Sequence, residues 1–98
     1  MKNWYVYMVR CADNSLYTGI ARDVIRRIDE HNNSNQLGSK YIRARRPVTL
    51  VYEETLDSRS DATRREMEIK QLKKHEKELL VGRSWENYKQ FLTFISSQ

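Results

Sequence analysis

Tyr5-Val6-Tyr7 and Tyr17-Thr18-Gly19 stand ten residues apart near the start of the chain, with Asp13-Asn14 between them. A helix-forming stretch bearing Arg27 and His31 follows. These residue types suit a phosphodiester. A guanidinium offers a planar fork of N–H donors that matches phosphate oxygens. Phenols and an imidazole can take, hold or relay a proton.

Glu66 adds an acid at an unexpected place. In the helical stretch that contains it, Ala62, Glu66, Ile69 and Lys73 recur at spacings of four, three and four, so they share one face. A carboxylate inside a core-facing stripe needs a cation, because desolvating it alone costs several kcal/mol. That cation is Arg27, a lysine or a bound metal. A structural ion pair and a metal-ligand role are both open on spacing alone. Lys40, Tyr41, Arg43, Arg45 and Arg46 form a basic segment with an interleaved aromatic, suited to phosphate contacts and base stacking.

These groups need elements to hold them. Residues 4–11 are rich in aromatic and β-branched types and read as a strand, with a second over 16–21. Residues 12–15 between them have turn chemistry, with Asn14 suited to a positive φ. Two registers compete. A two-residue turn pairs Cys11 with Leu16 and sends Tyr7 and Tyr17 to opposite faces. A three-residue loop pairs Cys11 with Ser15 and puts Tyr7, Val9 and Tyr17 on one face. A shared site needs the second register, or a bulge that gives the same result.

Asp23 caps a helix to about Asn32, with Val24, Ile25 and Ile28 as its apolar stripe. At about 100° per residue, Arg27 and His31 fall on one shoulder of that stripe and Arg26 points away. A short helix over 39–45 stops before Pro47, and 48–53 is a third strand. A loop over 56–60 leads to a long helix from about Asp61 towards Leu72. More helix follows over 74–81, broken at Gly82. Ser84 caps a last amphipathic helix with Trp85, Tyr88, Phe91, Leu92 and Ile95 on one face. The order ββααβααα predicts an α+β domain, a small three-stranded, mainly antiparallel sheet flanked by helices. The 98 residues make one domain, with 84–98 packed on it.

Bulk properties agree. Formal net charge is +5, which favours encounter with a polyanion such as nucleic acid. Cys11 is the single cysteine, so an internal disulfide and a multi-cysteine zinc site are excluded, and a reducing cytoplasm is the expected home. No apolar run approaches the roughly 20 residues needed to span a bilayer.

The segments WYVYMVRCADNSLYTGIARDVIRRIDEHN, GSKYIRARRPVTLVYEE and ATRREMEIKQLKKHEKELL together resemble the GIY-YIG nuclease family, closest to its small free-standing bacterial members. The likeness spans roughly residues 4–81. It implies that Tyr7, Tyr17, Arg27 and His31 are catalytic, that Gly19 is the glycine of the second motif, and that Glu66 holds a divalent metal, Mg²⁺ or Mn²⁺. The implied activity is metal-dependent DNA endonuclease of low sequence specificity. The alternative is a nucleic-acid-binding module that keeps the fold with little or no cleavage. A protein-interaction module using the C-terminal aromatic helix is a third. Tyr5 replaces the first-motif glycine and Thr18 the second-motif isoleucine. Some members carry a further asparagine late in the domain, for which Asn87 is the candidate. Larger relatives carry a separate nucleic-acid-binding domain, absent from these residues. That implies weak, sequence-tolerant binding, with specificity left to a protein partner.

Overall fold

The computed structural model describes residues 3–83. Strand β1 (Trp4–Arg10) is central, flanked antiparallel by β2 (Leu16–Ala21) and β3 (Thr49–Leu56) in the order β2-β1-β3. Its near-continuous apolar run follows from burial on both faces. Val6 and Met8 enter one core, while Tyr7 and Val9 enter the other. The expected α+β architecture is present: a three-stranded antiparallel sheet with helices around it.

The hairpin takes the register that a shared site needs. The Cys11 N–H donates to the Ser15 carbonyl at 2.9 Å, and Asn14 sits at φ 71. Val9 therefore faces Tyr17, and Tyr7 faces Gly19. Asn tolerates this left-handed conformation better than most residues.

Helix α1 (Val24–Asn33) starts at Asp23, whose carboxylate accepts from the Arg26 N–H at 3.1 Å. With the short α2 (Lys40–Arg43) it covers the Tyr7 face through Val24, Ile28 and Ile42, joined by Val48 from the segment before β3. Ile25 does not join the stripe and is 83% exposed. One residue past Val24 is about 100° round the helix, whereas Ile28 and His31 return to the same side. His31 is consequently buried within the stripe and not on its shoulder.

Helix α3 (Arg59–Lys70) packs Ala62 and Ile69 against Val6, Met8 and Tyr52 on the opposite face. It begins earlier than the spacing of its apolar residues predicts. The Ser58 hydroxyl is its N-cap, accepting from the Asp61 N–H at 3.1 Å. β3 also runs past Glu53, because its pairing continues to Trp4↔Leu56. The predicted loop over 56–60 thus shrinks to Asp57-Ser58.

Residues 74–83 form α4, and Gly82, expected to break it, lies inside. A glycine penalty of about 1 kcal/mol does not end a helix whose Leu80 and Val81 pack on the core. The predicted helix over 84–98, with Asn87, lies outside the described residues. Among the described residues, no helix is long and apolar enough to cross a membrane.

Candidate active site

β2 is an edge strand, and the candidate site is built around it. The Tyr7 side chain, 1% exposed, leans from β1 across Gly19 of β2. A Cβ at residue 19 would stand 2.5 Å from the Tyr7 hydroxyl oxygen and 2.7 Å from its Cζ. Backbone freedom is not the reason for glycine here. The phenol occupies the space that any side chain would need.

The Tyr7 hydroxyl meets His31 Nε2 at 2.8 Å. His31 Nδ1 accepts from the Ser39 N–H at 3.4 Å. Nε2 therefore carries the ring proton and donates it to the Tyr7 oxygen, a tautomer assigned from the network. Burial pulls the His31 pKa down to about 4, assisted by the Arg27 charge. The imidazole is thus neutral at physiological pH. Burial, with the nearby Tyr17 phenol, pushes Tyr7 up to about 12. The Arg27 guanidinium pulls it the other way and the Glu66 carboxylate adds to the rise.

Arg27 lies on the shoulder of α1 with its side chain 31% exposed, against 75% for Arg26. Its Nη1 donates to Glu30 Oε1 at 2.8 Å and to the Leu37 carbonyl at 2.6 Å. These contacts hold the guanidinium beside Tyr7 while leaving other donors for a substrate.

Tyr17 enters through a stack. It meets His31 edge-on, with ring centroids 5.4 Å apart, and lies against Tyr41 at 6.0 Å. The Arg45 guanidinium covers the Tyr41 ring at 3.7 Å. Arg45 Nε donates to Asp13 Oδ2 at 3.1 Å, and the Tyr41 hydroxyl donates to Ser15 Oγ at 3.1 Å. The turn that sets the hairpin register thereby also fixes the stack.

This changes the reading of the basic segment. Tyr41 finds its stacking partners within the protein. Arg46 is diverted to the fold: its guanidinium donates to the His31 and Ser34 carbonyls and to Asn35 Oδ1, at 2.5, 2.6 and 3.0 Å. It thereby satisfies carbonyls at the C-terminal end of α1. Lys40 and Arg43 are exposed, and Arg43 keeps one contact, to the Asn35 carbonyl at 2.7 Å.

Glu66 approaches from the other face of the sheet, since α3 packs across β1 and β2 there. Its side chain is 18% exposed and its oxygen lies 3.1 Å from Lys70 Nζ. Lys70 is half-exposed and one helical turn away. The cation is therefore a surface lysine, not Arg27, and no enclosed ion pair forms. Among the described residues, no three His, Cys, Asp or Glu side chains gather as a metal cage.

The two departures from the motif have visible consequences. Tyr5 packs at the edge of the Tyr7 core. Thr18 is buried, and its hydroxyl is without a hydrogen-bond partner among the described residues. Sequence reading missed Ser39 and Glu30, which fix His31 and Arg27. Glu30 had a signal, its three-residue spacing from Arg27. Ser39 acts through its backbone, which no residue type reveals.

Comparison with known proteins agrees with this geometry. The model of the GIY-YIG catalytic domain matches residues 3–79. The UPF0213 protein DP2720 of Desulfotalea psychrophila is 54% identical over 81 residues, covering 83% of this chain and 73% of that protein. A UPF0213 protein of Staphylococcus saprophyticus is 48% identical, covering 84% and 98%. The solution structure of the UPF0213 protein BH0048 from Bacillus halodurans superposes with a TM-score of 0.53 at 44% identity, covering 82% and 83%. With the tyrosines on one face, the glycine beneath Tyr7 and the family model over most of its length, this chain belongs to the GIY-YIG family of nuclease domains.

Proposed function

We propose that the protein is a divalent-metal-dependent endonuclease that hydrolyses phosphodiester bonds in DNA with low sequence specificity. The observation that supports this reading is the Tyr7–His31 hydrogen bond packed over Gly19, with the Arg27 guanidinium beside it and Glu66 near enough on α3 for its charge to act on Tyr7. One partly exposed carboxylate fits a hard cation that keeps its waters and takes further oxygens from the substrate, as Mg²⁺ does, and Mn²⁺ accepts the same donors. Glu66 would hold it after releasing Lys70. When bound, the cation would polarise a phosphoryl oxygen and stabilise the leaving 3′ oxygen.

The chain supplies the remaining chemistry. Arg27 presents N–H donors to the phosphate oxygens, where charge builds in the transition state. Tyr7 takes the proton of the attacking water. Its oxygen receives a hydrogen bond from neutral His31, and Arg27 lies beside it; both favour the phenolate against burial. His31 orients and does not protonate. Tyr17, stacked between His31 and Tyr41, walls the site.

The alternative, a binding module without cleavage, draws on the Lys70 ion pair, which occupies the Glu66 carboxylate. Glu66→Gln separates the two. A pair one turn apart on a helix, with the lysine half-exposed, is worth about 0.3–0.5 kcal/mol, so the variant should melt within about 4 °C of the parent. It should bind DNA as before and lose Mg²⁺-dependent cleavage of plasmid. Full cleavage by the well-folded variant removes Glu66 from the site. Absence of cleavage in the parent with either metal favours the binding module.

A further inference from the structure

Two arginines gather around one tryptophan at the far end of β2. Arg22 directly follows the last residue of β2, and Arg59 is the first residue of α3. Their guanidinium carbons lie over the Trp4 indole, 5.8 and 5.6 Å from its centroid. Arg10, Arg26, Arg27, Arg45, Arg64 and Arg65 each have a carboxylate partner. Among the described residues, Arg22 and Arg59 have none within ion-pair distance. With Asp57 and Ser58 the three side chains line a concavity of about 310 Å³. The Asp57 carboxylate offsets one of the two guanidinium charges, so the cluster stays cationic. An arginine resting on an aromatic face is ordered by cation–π attraction while its N–H edge stays free for an anion.

The position of the cluster says which anion. Arg59 and Glu66 are seven residues apart on α3, nearly on one face and about 10 Å apart along the axis. The Trp4 side chain lies on the face of β1 that α3 covers, opposite to Tyr7. The cluster and Glu66 therefore share one side of the sheet. A strand passing along α3 from the bond at Glu66 would thus present a neighbouring phosphate to Arg22 and Arg59.

We infer that Arg22, Arg59 and Trp4 form a second phosphate subsite, which grips the DNA backbone at a phosphate near the scissile bond. The inference rests on the nuclease reading for its register, and its test reads binding without cleavage. Trp85→Phe leaves Trp4 as the sole tryptophan of the two in the chain. In that background, with EDTA present, a single-stranded DNA 12-mer is titrated at several salt concentrations. Saturation should change Trp4 emission. Arg22→Gln with Arg59→Gln should abolish that change, weaken binding roughly fivefold, and lower the slope of log affinity against log salt by about 0.7, the value for one single-strand phosphate. Arg26→Gln with Arg64→Gln removes the same charge elsewhere and should cost less than about twofold. Unchanged Trp4 emission at saturation, or equal losses in the two folded double variants, overturns the subsite. Failure of the parent to cleave DNA with Mg²⁺ or Mn²⁺ overturns the active-site reading and leaves this binding comparison standing.

Discussion

At the scale of single residues, Tyr7 concentrates the proposed chemistry. A phenol held at about 12 is almost wholly protonated near neutrality, so a mechanism using it as base should accelerate about tenfold per pH unit between pH 7 and 9. His31, held at about 4, should contribute no limb near pH 6.5. Tyr7→Phe should reduce cleavage at least about a hundredfold and remove the slope. Its folding cost should be about 1–3 kcal/mol, because His31 Nε2–H loses its acceptor. A pH–rate profile that is flat above pH 7, or one with an inflection near 6.5, contradicts this assignment. Gly19 is the second sensitive residue. Gly19→Ala would place a methyl 2.5 Å from the Tyr7 oxygen and should destabilise by about 1–3 kcal/mol through overpacking. Cleavage should fall further than the folded fraction, since the displaced group is the proposed base. Melting and activity measured on one preparation test this; equal losses of both contradict it.

At the scale of elements, the hairpin and α4 are fastened to each other. Arg10 donates to both oxygens of Glu78, at 2.9 and 2.6 Å, and Lys74 Nζ donates to the Asn14 carbonyl at 2.8 Å. The Arg10 hydrogen bonds pull the Glu78 pKa down from 4.5 to about 2. A carboxylate whose pKa is lowered on folding stabilises the fold above its unfolded value and loses that contribution as pH falls through its folded one. The Glu78 contribution should therefore be complete above pH 4.5 and fade towards pH 2. The pair is about one-third exposed, so solvent screening limits it to about 1 kcal/mol. Glu78→Gln should lower the melting temperature by about 4–8 °C at pH 6 and by much less at pH 2.5. An equal shift at both pH values contradicts the linkage.

At the scale of the whole molecule, the net charge of +5 is distributed between arginines that build the fold and basic groups that face outward. Arg45 and Arg46 belong to the first kind, through Asp13, Tyr41 and the end of α1. Lys40 and Arg43 belong to the second. Replacing Lys40 and Arg43 together with Gln should reduce the salt slope of DNA binding by about one to two, if each meets one phosphate. Arg45→Gln should act differently, loosening the Tyr41–Tyr17 stack and lowering cleavage more than affinity. Equal effects of the two changes on salt slope would place Arg45 on the binding surface instead.

The hairpin, α1 with its Asp23 cap and the α+β class were legible in the sequence because they rest on local rules: turn chemistry, capping and periodicity. The same-face placement of Tyr7 and Tyr17 was legible only as one of two registers. The choice fell to the left-handed Asn14 and to the bonds of Asp13 with Ser15 and Arg45, the last spanning 32 residues. Glu66 could be singled out by its stripe, but its partner could not, since Arg27, a lysine and a metal all satisfy the same electrostatic need. Lys70 supplies that need in the fold, and from one turn away. His31 was placed near the sheet by helical geometry, yet its tautomer and neutrality follow from burial and from the Ser39 backbone. The sequence by itself determined which chemical groups are present and which element carries each. Only the tertiary structure decided which arginines are spent on the fold, which proton His31 carries, and that Gly19 makes room for the Tyr7 ring. Those outcomes depend on distances between segments far apart in the chain, and local propensity carries no record of them.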